Sequence, residues 1–271
     1  MLAQLGADEA VAYGRSPVAL PGRTLRILDL DRESLRLQEP MPPRLLYTVP
    51  PPVSDQGDPR LARFLAVLKP APKRLVYIST SGVYGDCKGE LVSESRPPAP
   101  GTARAMRRFA AEQLVHGWCS KSGVACSILR VPAIYGPGRL GVDRISAGEP
   151  QILESEANPG NRIHVDDLAA AAIAALGRST PGGIYNIGDG DFRSSTWFAL
   201  TVARLAGLTA PPLISRAEAL ATLPASRLSF LQESRRLDTR KMHEVLGVRL
   251  RYANAEIGIR DSLRKEGQRP D

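Results

Sequence analysis

The stretch Leu75 to Asp86, LVYISTSGVYGD, limits what this chain can fold into more than any other part of it. Leu75, Val76, Tyr77 and Ile78 form a run of β-branched, aromatic and aliphatic side chains that passes directly into the hydroxyls of Ser79, Thr80 and Ser81 and then into Gly82. A short apolar run of this kind reads as a buried strand, and the hydroxyls with the glycine read as the polar loop that ends it. In an open α/β sheet, ligands bind outside the carboxyl ends of such strands. The hydroxyls therefore mark a candidate ligand cleft.

The flanking sequence supplies the rest of such a sheet. Met1 to Ala7 reads as the end of a helix closed by Gly6, and strands are predicted over Glu9 to Gly14, Leu25 to Asp29, Arg44 to Val49 and Ala125 to Val131. Shorter extended pieces fall at Asn161 to Val165 and Gly183 to Ile187. Between Asp58 and Leu68, the residues Leu61, Phe64, Leu65 and Leu68 keep helical spacing. Further helices are predicted over Thr102 to Trp118, Val165 to Leu176 and Ser194 to Ala206, with one more stopped by Gly247. Glu90 to Gly101 and Pro132 to Gly138 read as loops, and the charged last residues as a tail that frays. Strands alternating with helices indicate an α/β fold with a doubly wound parallel sheet. Residues 1–140 are expected to form the main part of this sheet. Residues 141–271 are expected mainly in a small C-terminal substrate lobe, with 161–190 returning to the sheet.

Composition removes several function classes. The 271 residues are 43% hydrophobic, enough for a substantial core. The net charge of +8 is scattered rather than gathered into a basic block, which argues against nucleic-acid binding. Cys87, Cys119 and Cys126 form neither a CxxC pair nor an even set, so no metal site or disulfide framework is expected, and a reducing cytoplasm fits. No apolar run approaches the roughly 18 residues of a membrane span, and the start lacks a secretory pattern.

Four motifs occur in a telling order: Ser79 to Gly85 (STSGVYG), Leu129 to Gly138 (LRVPAIYGPG), Arg162 to Leu168 (RIHVDDL) and Tyr185 to Gly188 (YNIG). Together they resemble the extended short-chain dehydrogenase/reductase family, which contains the nucleotide-sugar epimerases and dehydratases. The resemblance implies a Rossmann-type sheet, an NAD(P) cofactor, a nucleotide sugar or similar small substrate and, through the helix carrying Arg104, a homodimer.

The chain also departs from that pattern. The family's first strand and glycine-rich turn, about 20 residues, would precede Met1, so the chain reads as N-terminally truncated, with a gap left in the sheet. The only GxGxxG, Gly136 to Gly141, has a proline inside it and no clear helix opening from it, and reads as a loop. The family's catalytic tyrosine and lysine, four residues apart on one helical face, fall on Arg104 and Arg108. Tyr84 and Lys88 match the spacing literally, but Gly85 lies between them and no shared helical face is expected. The dehydratases' two acids are replaced by Ser81 and Gly82. These losses resemble the atypical extended members, whose fold is kept while the tyrosine is lost. A non-catalytic sensor or partner-binding protein, or an inactive truncated product, is the alternative to an enzyme.

Carried over residue by residue, the resemblance gives the catalytic positions Thr80, Ser81, Arg104 and Arg108. It assigns cofactor contacts to Arg15, Asp29, Pro50, Ser79, Arg108, Pro132, Ile134 and Tyr135. Substrate contacts fall on Thr80, Tyr84, His164 and Arg236. Arg15 follows a strand end without an acid there, which favours NADP over NAD. Each position has a structural alternative. Thr80 could cap a turn, Asp29 could cap a helix before Glu33, Arg15 could sit on an exposed turn, and Arg236 could belong to a solvated face with Arg235 and Arg240. Arg130, His164, Asp166 and Asp167 suit structural support at strand ends and helix starts.

Overall fold

The structure, a computed structural model, describes residues 11–16, 25–32, 35–37, 42–54, 57–224, 227–228 and 231–267. The helix expected before Gly6, the first residues of the strand expected from Glu9, and Glu33 lie outside these. Strand β4 (Arg74–Thr80) is the centre of the sheet: it pairs in parallel along its whole length with β6 (Ala125–Val131) and on its other side with β3 (Arg44–Tyr47). β10 (Gly183–Asn186) adds to β6, giving the order β10-β6-β4-β3. The first two strands, β1 (Ala12–Gly14) and β2 (Leu25–Ile27), form a separate parallel pair. Among the described residues no ladder joins β1 to β3.

The alternation along β4 explains why helices cover both faces. Leu75 and Tyr77 point into a core with Leu61, Phe64 and Leu65 of α1 (Pro59–Val67) and with Ala111 and Val115 of α2 (Ala103–Ser122). Val76 points the other way, into a core with Ala171, Ala172 and Ala175 of α4 (Val165–Ala175) and with Met242 of α7 (Arg240–Glu244). Each fully buried Leu or Phe side chain contributes about 1.5–3 kcal/mol. Local signals set the helix ends. The Asp58 carboxylate accepts from Leu61 N ahead of Pro59, and Thr102 accepts from Ala105 N. Gly123, at φ 64°, closes α2 in the left-handed region.

A third core joins Tyr135, Leu140 and Ile145 to Ala199, Val202 and Ala203 of α5 (Ser195–Ala206) and to Ala255 and Ile259 of α8 (Ala255–Gly267). Short parallel pairs connect distant segments: β5 (Leu91–Val92) with β12 (Arg236–Leu237), β7 (Ala133–Tyr135) with β9 (Arg162–His164), and β8 (Gln151–Ile152) with β11 (Leu213–Ile214). α3 (Val142–Ser146) and α6 (Arg216–Thr222) are short helices.

Three expectations need correction. Pro132 has no N–H for the ladder and ends β6, but the segment after it is not a loop throughout: Ala133 to Tyr135 pair with β9. A helix does open from the Gly136 to Gly141 stretch, since α3 starts directly after Gly141 at φ 74°. The charged end is not a frayed tail as far as Gly267, because α8 buries Ala255, Gly258, Ile259 and Ser262 along one face.

Candidate functional site

Across the carboxyl ends of β4, β6 and β10, the register places Ser79, Arg130 and Asn186 in one row. All three are buried. Ser79 Oγ donates to Glu112 Oε1 at 2.5 Å, and Arg130 donates to the same carboxylate through Nε at 3.2 Å and Nη2 at 2.8 Å. Burial works against the Arg130 charge, but the Glu112 bonds outweigh it and hold the guanidinium above its usual pKa. The guanidinium lies 4.6 Å from the centre of the Tyr84 ring. Tyr84 Oη donates to Asn186 Oδ1 at 2.7 Å, and Asn186 Nδ2 donates to the carbonyls of Val92 at 3.0 Å and Asp238 at 3.2 Å. Ser79 and Tyr84 are therefore engaged in holding strand ends and loops together. In such a network, removing one partner of a buried ion pair costs about 3–5 kcal/mol.

Thr80 sits one residue further, opposite Val131 and half-buried. Its Oγ1 accepts from Gly82 N at 3.2 Å and caps the single tight turn Ser81–Tyr84, in which Ser81 is buried. Both readings of Thr80 thus remain compatible: the oxygen caps the turn while the hydroxyl hydrogen is left to donate. The turn ends at Gly85, φ 67°, where any Cβ would overlap the Ala99 carbonyl. On the neighbouring strand end, Pro132 is half-buried and Ile134 packs into the second core. Tyr135 is buried in the third core, edge-on to His164 and Phe198, and its Oη has no hydrogen-bond partner among the described residues.

On α2, Arg104 and Arg108 share a face one turn apart. Arg108 Nη1 donates to Ile78 O at 3.0 Å and to Tyr77 Oη at 3.2 Å, which ties it to the central strand. Arg104 is exposed and feels the charges of Glu233, Arg235, Arg108 and Arg107. Arg235 donates to Glu233 Oε2 at 3.0 Å and to Gly85 O at 2.5 Å, while Glu233 Oε1 is buried without a partner among the described residues. The position expected for a tyrosine is thus surrounded by guanidiniums. Arg235 and Glu233 were not anticipated from the sequence. The signal was there, since Leu237 is buried and Arg235, two residues earlier on the same strand segment, shares its face. Arg236 faces outward: it is exposed, with Nε donating to Gly89 O at 2.9 Å.

At the ends of β1 and β2 the charges are looser. Arg15 pairs with Asp31 at 3.3 Å, Arg60 Nε reaches Asp31 at 2.5 Å, and the Asp29 carboxylate accepts from Asp31 N at 3.0 Å. The Arg60 hydrogen bond holds Asp31 below its usual pKa. Pro50 is exposed beyond β3. His164, in contrast, is wholly buried: Nδ1 accepts from Asp166 N at 3.1 Å as the cap of α4, and Nε2 lies 3.3 Å from Ser262 Oγ. Burial lowers its pKa, and an accepting Nδ1 makes the neutral ring with hydrogen on Nε2 the consistent form. Asp167 accepts from Arg251 N at 2.8 Å and Tyr252 N at 3.0 Å, fastening the segment before α8. Among the described residues, no group of three acids, histidines or cysteines could hold a metal ion, and no helix is long and apolar enough to cross a membrane.

Comparison with known proteins agrees with this frame. Residues 60–188 match the model of the NAD dependent epimerase/dehydratase family. The chain is 28% identical over 208 residues to Uncharacterized protein y4nG of Sinorhizobium fredii, an alignment covering 69% of this chain and 52% of that protein. The chain spans about half the length of the curated relatives it matches first. Among solved structures, a functionally unknown conserved protein from Silicibacter pomeroyi superposes with a TM-score of 0.80 at 29% identity, covering 94% of this chain and 89% of the other. MoeE5 in complex with UDP-glucose and NAD superposes with a TM-score of 0.71 at 22% identity, with the same coverage of each chain.

Proposed function

We propose that this chain, whose residues 60–188 match the model of the NAD dependent epimerase/dehydratase family, binds an NAD(P) cofactor and a nucleotide sugar, or a similar small substrate, at the carboxyl ends of its parallel strands. The observation that carries this reading is Thr80. Its half-buried hydroxyl stands at the end of the central strand, and the segment carrying Glu233, Arg235 and Asp238 is latched beside it through Gly85 and Asn186. The solved complex of MoeE5 with UDP-glucose and NAD supports the ligand class. The groups on hand fit a dinucleotide: Asp29 supplies a carboxylate for ribose hydroxyls, Arg15 a guanidinium for the 2′-phosphate of NADP, and Arg108 a fixed donor. NADP is favoured over NAD on the strength of Arg15. When bound, the cofactor supplies hydride transfer.

The chain's own residues position rather than relay. Thr80 orients a substrate oxygen by donating its hydroxyl hydrogen. Arg104 and Arg108 hold positive charge near it, but a guanidinium offers only donors and cannot accept and return a proton. A proton leaving substrate therefore passes to water. The same replacement favours a second reading, a sensor that keeps the fold and the ligand without turnover.

Turnover of a panel of UDP- and dTDP-sugars in the presence of NADP or NAD separates the two readings. Conversion by the wild type that falls at least tenfold in Thr80→Val, with urea stability unchanged, is the outcome expected of an enzyme. Ligand binding without conversion supports the sensor, and absence of both removes the proposal.

A further inference from the structure

Arginines from two distant parts of the chain gather around the turn that carries Thr80. Arg108, on α2, donates from Nη1 to Ile78 O at 3.0 Å, two residues before Thr80 on the same strand. Arg235 donates from Nη1 to Gly85 O at 2.5 Å, where the turn ends. Arg104 stands one helical turn before Arg108 on the same face of α2. Its neighbour Ala105 is buried where α2 meets the turn: a side-chain carbon on Gly82 would lie 3.7 Å from Ala105 Cβ and 3.6 Å from Thr80 Oγ1. Two acids lie beside this group, and both are engaged. Glu233 Oε2 accepts from Arg235 Nη1 and Nη2, each at 3.0 Å. Asp86 Oδ1 accepts from Lys88 N at 3.0 Å and from Ser234 N at 2.9 Å. Guanidiniums therefore outnumber carboxylates around the turn.

We propose that the sugar taken by this cleft carries a carboxylate, as in a uronic acid, and that Arg104 is the residue that selects for it. This rests on the reading that the cleft binds a nucleotide sugar with Thr80 at its reacting end. Arg108 and Arg235 are half-buried and tied to main-chain carbonyls, whereas Arg104 is exposed on the side of α2 that borders the turn. A guanidinium presents a planar fork of donors that matches a carboxylate through two parallel bonds. A substrate that settles against Arg104 removes water from it. The charge of Arg108, one turn away, repels Arg104, and a desolvated cation is costly unless an anion arrives with the substrate. A neutral hexose brings only hydroxyls to that position, and a uronic acid brings the anion. The diphosphate is common to both kinds of substrate, so the contribution of the sugar's carboxylate can be read by itself.

The test titrates the full chain calorimetrically with UDP-glucose and UDP-glucuronic acid, which differ only in carrying a hydroxymethyl group or a carboxylate, and with the matching pair UDP-galactose and UDP-galacturonic acid. In at least one pair the uronic acid should bind about tenfold or more tightly than the neutral sugar. Arg104→Leu should bring the two members to within about threefold by weakening the uronic acid, and Arg104→Lys, which keeps the charge but not the fork, should retain an intermediate preference. Equal affinities within both pairs overturn the proposal and leave the nucleotide-sugar reading standing, as does a preference that survives undiminished in Arg104→Leu. Absence of binding by all four sugars overturns the proposal as well, and titration with dTDP-glucose then shows whether that reading falls with it. The wild-type comparison can overturn the proposal by itself, even if a variant fails to fold.

Discussion

The two parts of the sheet hold their charges in opposite ways. At the end of β4 and β6, Arg130 and Glu112 have side chains only 2% and 4% exposed, whereas Arg15 and Asp31 at the ends of β1 and β2 are 70% and 43% exposed. A buried pair cannot exchange partners without leaving an uncompensated charge in the interior. An exposed pair contributes about 0–1 kcal/mol and can trade its partner for a ligand phosphate at little cost. The buried ion pair of the four-stranded part therefore fixes geometry, and the proposed cofactor site draws on the loosely held charges of the two-stranded part.

The largest expected effect breaks that comparison if it fails. Glu112→Ala strands Arg130 and Ser79, and should lower stability by about 3–5 kcal/mol in urea denaturation. A loss as small as that of an exposed pair would erase the distinction between the two ends.

A second effect comes from Asp189, buried in the loop after β10, whose pKa burial pushes up to about 7 from 3.8. Below about pH 4 the group is protonated in both folded and unfolded chains. Between there and pH 7 only the folded chain holds the proton, so stability falls as pH rises through this window and levels off above it. Asp189→Asn removes that dependence, and its stability relative to wild type should be about 3 kcal/mol better at pH 8 than at pH 4.5, read from denaturation midpoints at the two pH values. Equal differences at both pH values would show that Asp189 ionises normally.

Much of the four-stranded part was legible in the sequence because each motif residue sits where period-two alternation and strand-end chemistry put it. Leu75 to Ile78 could be read as a buried strand, and Thr80 as part of the polar end of it, from the residue pattern alone. The partners were not legible. Nothing local in Glu112 says that Ser79, 33 residues away, and Arg130, 18 residues away, converge on it, because that depends on the packing of α2 across two strands. Tyr135 read as a cofactor contact in a loop because the stretch from Pro132 resembles the family's. The pairing of Ala133 to Tyr135 with β9 makes that stretch a strand and packs the Tyr135 ring in the third core. His164 matched a motif, but its ring caps α4 and touches Ser262 of α8, a helix hidden in what read as a charged tail.

Smaller effects sharpen the comparison. Tyr84→Phe leaves Asn186 Oδ1 without its buried donor and should cost about 1–3 kcal/mol by the same denaturation measurement. Asp31→Ala removes the partner of Arg15 and Arg60 in the exposed region and should leave the denaturation midpoint nearly unchanged.

Calorimetric titration of wild type and Arg15→Ala with NADPH and NADH tests most directly whether the loose charges take the cofactor. Saturable one-site binding of NADPH, weakened about tenfold or more by Arg15→Ala, about 1.4 kcal/mol, with NADH much less affected, is the expected result. Equal NADPH affinity in the two proteins, or no binding heat in the wild type, would contradict it.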